Sequence, residues 1–219
     1  MITFKDIKSN EDIRTYITCA DESLKALGYT EHSFANVTRV AHTAKYILGT
    51  LGYSEKEIDL AMIAGYMHDI GNLVNRVDHS QSGAVMAFPI LDKLGMPARE
   101  LASIVTAIGN HDEGTGIPVS PIAAALILAD KTDVRRTRVR NTDPSTFDIH
   151  DRVNYSVTES EVRINEEHTV ITLNLKVDTR FSSVMDYFEI FLKRMIMCRK
   201  AAQMLGLEFK LIINDQALM

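Results

Sequence analysis

Six side chains in this sequence have the types, and lie on the segments, needed to hold a transition metal. His68 and Asp69 are neighbours in Gly65-Tyr-Met-His68-Asp69-Ile-Gly71, and His42, His79, His111 and Asp130 lie on other segments that read as helix or helix end. Successive helical positions differ by about 100°, so His68 and Asp69 diverge modestly and fit one buried pocket. Four imidazoles and two carboxylates make a ligand set for iron, manganese, zinc, nickel or cobalt, with no thiolate in it. If these groups were only a buried polar cluster, two carboxylates would be desolvated without compensating cations, which is costly. His32, His150 and His168 read as solvated loop or cap residues.

The elements that must position these groups follow from apolar spacing and caps. Asn10 to Leu27 and Ser33 to Leu51 show helical periodicity, and His42 lies beside the apolar stripe of the second, one turn after Arg39. Ser54-Glu-Lys-Glu57 has the form of a capping box. It opens a helix toward Asn72 on which Ala61, Ala64, Gly65 and His68 share a face, and Gly71 is expected to stop it with a positive φ. His79 to Leu94 reads as a fourth helix that Pro89 should bend or split, and Ala98 to Asn110 as a fifth. Ser120-Pro121 opens a sixth through Asp130, ending among Arg135, Arg136, Arg138 and Arg140. Beyond Pro144, Val153 to Ile164 and Val170 to Val177 suggest a hairpin, followed by a helix from Ser182 or Ser183 to Leu205 and a strand from Leu207 to Ile213. The expected architecture is mainly α, a helical bundle over residues 1–150 with a small ββαβ extension over 151–219 packed on it.

The order His42, His68-Asp69, Asp130 resembles the HD superfamily of metal-dependent phosphohydrolases, in which these four positions hold a divalent metal within a helical bundle. Asp78-His79-Ser-Gln-Ser-Gly83-Ala84 and Asn110-His111-Asp112-Glu113 are similar to segments of members with a second metal site. The loop Gly114-Thr-Gly116-Ile117-Pro118 is partly similar to that of HD-GYP proteins. The resemblance covers about residues 33–140. It implies a first metal on His42, His68, Asp69 and Asp130, and a second on His79 and His111 with Asp69 bridging. It also implies a catalytic role for His68 and Asp69 around a metal-activated water. Where many relatives have a lysine after the His-Asp-x-Gly run, this chain has Asn72; Asp112 stands where a second histidine would be, and Ile117 replaces the tyrosine of the Gly-Tyr-Pro signature. These departures count against cyclic di-GMP as substrate and favour a smaller phosphorylated molecule, nucleotide-like.

Candidates to bind that substrate are Arg39, Asn72, Lys131, Asp133, Arg135 and Arg136. Cations at a helix C-terminus also complement the macrodipole, which is the alternative for the arginines. Hydrophobic residues make up 46% of the chain and charged ones 24%, an ordinary globular balance. The net charge of −5 leaves no basic excess for a general nucleic-acid or anionic-membrane binder. Cys19 and Cys198 read as reduced thiols, the opening residues resemble no signal peptide, and a cytoplasmic protein, possible as a homodimer, is expected. Two other functions fit the same residues: a regulatory metal-binding module that has lost turnover, motivated by Asn72 and Asp112, and a di-iron oxygenase.

Overall fold

The computed structural model describes residues 2–218. Two apolar helices form its centre: α4 (Glu55–Met67) and α7 (Pro121–Lys131). Every residue from Leu60 to Met67 and from Ile122 to Ala129 is buried, as befits helices without a polar face. Ser54 and Glu57 form the capping box that starts α4, and Ser120 Oγ accepts from Ala123 N to start α7. Around this pair pack α3 (Phe34–Thr50), α6 (Ala98–Gly109) and α9 (Val184–Met204). Outside them lie α1 (Phe4–Ser9), α2 (Glu11–Ala26) and α5 (His79–Lys93). The crossing of α3 and α4 is close because Gly65 has no side chain: a Cβ there would sit 3.0 Å from Ala41 Cα.

Several expectations need correction. α1 was not foreseen; its capping box, Thr3 with Asp6, spans one turn, too short for a periodicity. α4 stops at Met67, and Ile70–Leu73 form a separate 3-10 turn. Gly71 lies in that turn and has no positive φ. What it provides is room: a Cβ on Gly71 would meet His79 O at 2.0 Å and Gly83 N at 2.4 Å, both backbone atoms. Gly71→Ala should therefore force α5 away and cost about 3 kcal/mol. For a chain of this size that lowers Tm by roughly 6–12 °C, which thermal denaturation would read; an unchanged Tm would refute the close-approach argument. Pro89 neither splits nor ends α5, because it faces solvent, where water can satisfy the Val85 carbonyl that loses its partner.

The C-terminal part is α+β, as expected, with two additions. A helix, α8 (Ile149–Ser156), precedes β1 (Val157–Ile164), so the strand begins later than Val153 and the expected boundary at residue 150 falls inside a helix. Asp148 caps α8 by accepting from Asp151 N. β1 pairs antiparallel with β2 (Val170–Val177), and β2 pairs parallel with β3 (Glu208–Ile213) across the α9 crossover. A two-residue β4 (Gln216–Ala217) completes the order β1-β2-β3-β4. This extension packs on the bundle chiefly through α9 against α7. Cys19 and Cys198 are unpaired thiols. Among the described residues no helix is long and apolar enough to cross a membrane.

Candidate metal centre

Five helix ends converge on one cavity of about 530 Å³. α4 delivers His68 and then Asp69, α5 begins with His79, α6 is followed by His111, and α7 carries Asp130 in its last turn. The fifth is the approach to α3, which brings His32 to the cavity wall beside Asp69. His68 and His111 are buried completely, and Asp69 and His79 nearly so.

The imidazoles share one orientation. Nδ1 of His68 donates to Gly65 O at 2.8 Å, that of His79 to Arg76 O at 3.0 Å, and that of His111 to Ile108 O at 2.6 Å. His32 Nδ1 donates to Thr30 O at 2.7 Å. A carbonyl can only accept, so each Nδ1 carries the proton and each neutral ring keeps its lone pair on Nε2. The Nε2 atoms of His68, His79 and His111 point at carboxylates and at each other. His68 Nε2 is 3.1 Å from Asp69 Oδ2 and 3.6 Å from Asp130 Oδ1, oriented so that it makes no hydrogen bond with either. His79 Nε2 lies 3.4 Å from Asp69 Oδ1 and 3.2 Å from His111 Nε2. Two nitrogens bound at about 2.0–2.1 Å in tetrahedral geometry would stand about 3.3 Å apart, close to that separation. Two groups meet the spacing of a metal site: His68, His111 and Asp130, and Asp69, His79 and His111. A divalent ion therefore fits the residues present.

The electrostatics agree. Burial, then the Arg138 charge, pushes His32 down to about 3; burial, then the charges of His68 and Lys131, does the same to His111. Burial also lowers His79 against the pull of Asp69. Neutral imidazole is the form that binds metals. His68 differs: burial disfavours its charge, but Asp69 and Asp130 outweigh burial and push it up to about 10. Burial alone would raise both aspartates, yet His68 beside Asp69, and Lys131 and His68 beside Asp130, hold them well below the usual carboxylate range. The pocket thus demands positive charge between its carboxylates.

The structure brings together five of the six expected donors and moves the sixth. His42 is exposed, 6.2 Å from the Phe4 ring by centroids, and lines a separate groove between α3 and β1 with Arg39 and Tyr46. It falls on the solvent face of α3, and His32, expected to be a solvated cap, stands at the cavity instead. The signal was present, since Arg39, His42 and Tyr46 recur at helical spacing on the polar side of the stripe.

Most of the expected substrate residues are engaged in holding the fold. Asp133 is buried and accepts from Asn36 Nδ2 at 2.8 Å and Arg135 Nε at 2.9 Å, with Arg39 Nε at 3.2 Å. Arg39 also donates to Ser160 O and Arg135 to Glu31. Arg136 donates to Tyr155 O and stacks on the Tyr155 ring at 4.3 Å. Arg135 and Arg136 follow α7 in a loop and a 3-10 turn, Arg136–Arg138, so they do not form a helix C-terminus as expected. Asn72 and Lys131 are at the site but face protein groups. Asn72 Nδ2 donates to Asp69 Oδ1 at 2.9 Å, which fixes that carboxylate. Lys131 Nζ lies 2.8 Å from Asp130 Oδ2 and 2.7 Å from Glu113 Oε2. Asp112 Oδ2 turns away to accept from Gly114 N within its own loop.

Sequence reasoning also missed the wall that the extension supplies. Asp148, His150, Asp151 and Asn154 line the cavity from α8 and its cap, and Phe191 and Arg194 from α9. Arg194 Nε donates to Glu113 Oε1 at 3.0 Å, so a chain Arg194–Glu113–Lys131–Asp130 links the extension to a donor of the metal centre.

Residues 31–135 match the family model described as HD domain. An uncharacterized protein of Methanocaldococcus jannaschii is 23% identical over 191 residues, spanning 76% of this chain and 73% of that protein. A crystal structure of a predicted HD superfamily hydrolase from an uncultured Thermotogales bacterium is 24% identical, with 57% of this chain and 67% of that one covered and a TM-score of 0.44. His32, His68, Asp69, His79, His111 and Asp130 all fall within the matched segment, whereas the sheet lies outside it. Over residues 31–135, a little under half of its length, the chain matches an HD domain.

Proposed function

We propose that this protein is a metal-dependent phosphohydrolase acting on a small, nucleotide-like phosphate ester or anhydride. The observation that carries this reading is the shared orientation of His68, His79 and His111, each with Nδ1 donating to a backbone carbonyl and Nε2 turned to the space between Asp69 and Asp130. One or two divalent ions would be held by His68, His111 and Asp130 and by Asp69, His79 and His111, with His32 at the cavity wall beside Asp69. When bound, such ions polarise a phosphoryl oxygen and supply a water that loses its proton near neutral pH. Asp69 is placed to serve both donor groups, Oδ2 toward His68 and Oδ1 toward His79. Asn72 prevents that carboxylate from rotating. Lys131, itself paired with Glu113, keeps Asp130 ionised and oriented, and α8 and α9 line the cavity. The cavity volume suits a ligand of nucleotide size.

The test is a panel of phosphomonoesters, phosphoanhydrides and cyclic diesters, run with manganese, iron, zinc, nickel and cobalt after elemental analysis of protein purified without chelator. Turnover with any metal, abolished by chelation and restored by re-addition, is the expected result. Stoichiometric metal with no turnover across the panel would leave a regulatory metal-binding module.

A further inference from the structure

The cavity contains four cationic side chains besides its histidines, and three are already committed. Lys131 is shared between Asp130 and Glu113, and Arg194 donates to Glu113. Arg138 donates from Nε to Glu31 O and from Nη1 to Asp133 O, with the Asp133 carboxylate 3.9 Å away. Arg76 is different. Among the described residues its one hydrogen bond runs from Nη1 to Asn72 Oδ1 at 3.2 Å. Its nearest carboxylate oxygen, Asp69 Oδ1, is 4.0 Å away and already lies 3.4 Å from His79. The side chain is 24% exposed, lines the cavity, and lies 5.7 Å from the centroid of the Tyr29 ring. Its position is tied to the metal centre, because the Arg76 carbonyl is the acceptor that fixes His79. α8 and its cap also line the cavity, with Asp148, His150 and Asp151.

We infer that Arg76 grips the phosphoryl group of the substrate, and that the cavity takes esters carrying a single phosphate. This assignment rests on the phosphohydrolase reading above. A guanidinium offers five donors in a fixed fork that matches phosphate oxygens, and Arg76 has most of them to spare beside Asp69. A second or third phosphate would find no further uncommitted lysine or arginine among the cavity residues, which include the carboxylates of Asp148 and Asp151.

The experiment uses full-length protein loaded with manganese, with inorganic phosphate as the probe. Calorimetric titration should show phosphate binding weakened roughly tenfold or more in Arg76→Gln, the loss expected for charge-assisted hydrogen bonds, with Arg76→Lys intermediate. Metal content should be unchanged in both. For a hydrolysed ester, KM should rise by a similar factor while kcat stays within about threefold, and a nucleoside monophosphate should be preferred to the corresponding triphosphate. Unchanged phosphate affinity would overturn the assignment. So would loss of metal from Arg76→Gln, which would show Arg76 acting through Asp69, and so would a preference for triphosphates. Absence of turnover together with weakened phosphate binding in Arg76→Gln would sink the hydrolase reading and leave the anion site standing.

Discussion

Asp69→Ala is expected to strip the protein of metal and lower kcat/KM by at least about 10³-fold, roughly 4 kcal/mol in the transition state. Groups that merely orient a metal ligand typically cost about 10–100-fold when removed. Asp69 stands closer than that to both donor groups. Its Oδ2 is 3.1 Å from His68 Nε2, and its Oδ1 is 3.4 Å from His79 Nε2 and 4.0 Å from His111 Nε2. Asp69→Asn separates charge from shape, because the amide fills the same space without the charge that balances a divalent ion. Elemental analysis and steady-state rates on both variants, alongside thermal melts to show that they fold, make the check. Full turnover in either variant would remove the metal centre from the mechanism.

His32→Ala and His42→Ala should part sharply, although both residues belong to the α3 region and both are histidines. His32→Ala removes a neutral imidazole from the cavity wall beside Asp69, and bound metal and activity should fall together by about 100-fold or more. His42→Ala changes a solvent-facing position, and stability should move by no more than about 0.5 kcal/mol. Metal content should be unaltered and kcat should stay within about twofold of the parent. The reverse pattern, with metal lost in His42→Ala and retained in His32→Ala, would mean that α3 docks on the bundle in another rotation.

Much of the bundle was legible because several long helices announce themselves twice, by apolar spacing and by a cap, although α5 and α6 have no side-chain cap. Ser54 with Glu57, Ser120 before Pro121, and Ser183 with Asp186 all close the hydrogen bonds their sequences suggest. α1 and α8 were not read, since six and eight residues hold too few turns to show a stripe. The convergence of His68, Asp69, His79, His111 and Asp130 was legible because each sits at an end of a strongly marked helix. His32 lies one residue before the cap of α3, outside any periodic segment, so only rotating α3 by its exposed residues would have excluded His42 and drawn attention to it. The arginines illustrate the other limit. A run of cations after Asp130 is visible locally, but its partners Glu31 and Tyr155 come from other elements. Arg194 meets Glu113 across 81 positions of sequence, a pairing that no local pattern encodes.

Donors and wall occupy different stretches of the chain, and that order has a meaning during synthesis. Every metal-centre donor precedes Lys131, whereas the α8 and α9 wall is anchored by a sheet whose parallel β2–β3 pairing waits for Ile213. Parallel pairing across a long crossover is slow, because the loop must close before the contacts reward it. The roughly 80 positions from Asp130 to Ile213 take about 4–16 s to make at 5–20 residues per second. Throughout that interval the residues of α8, α9 and the sheet that complete the wall are still being added to the chain. The donors are thus complete in the chain before the residues that enclose them, and only the enclosure draws on the sheet.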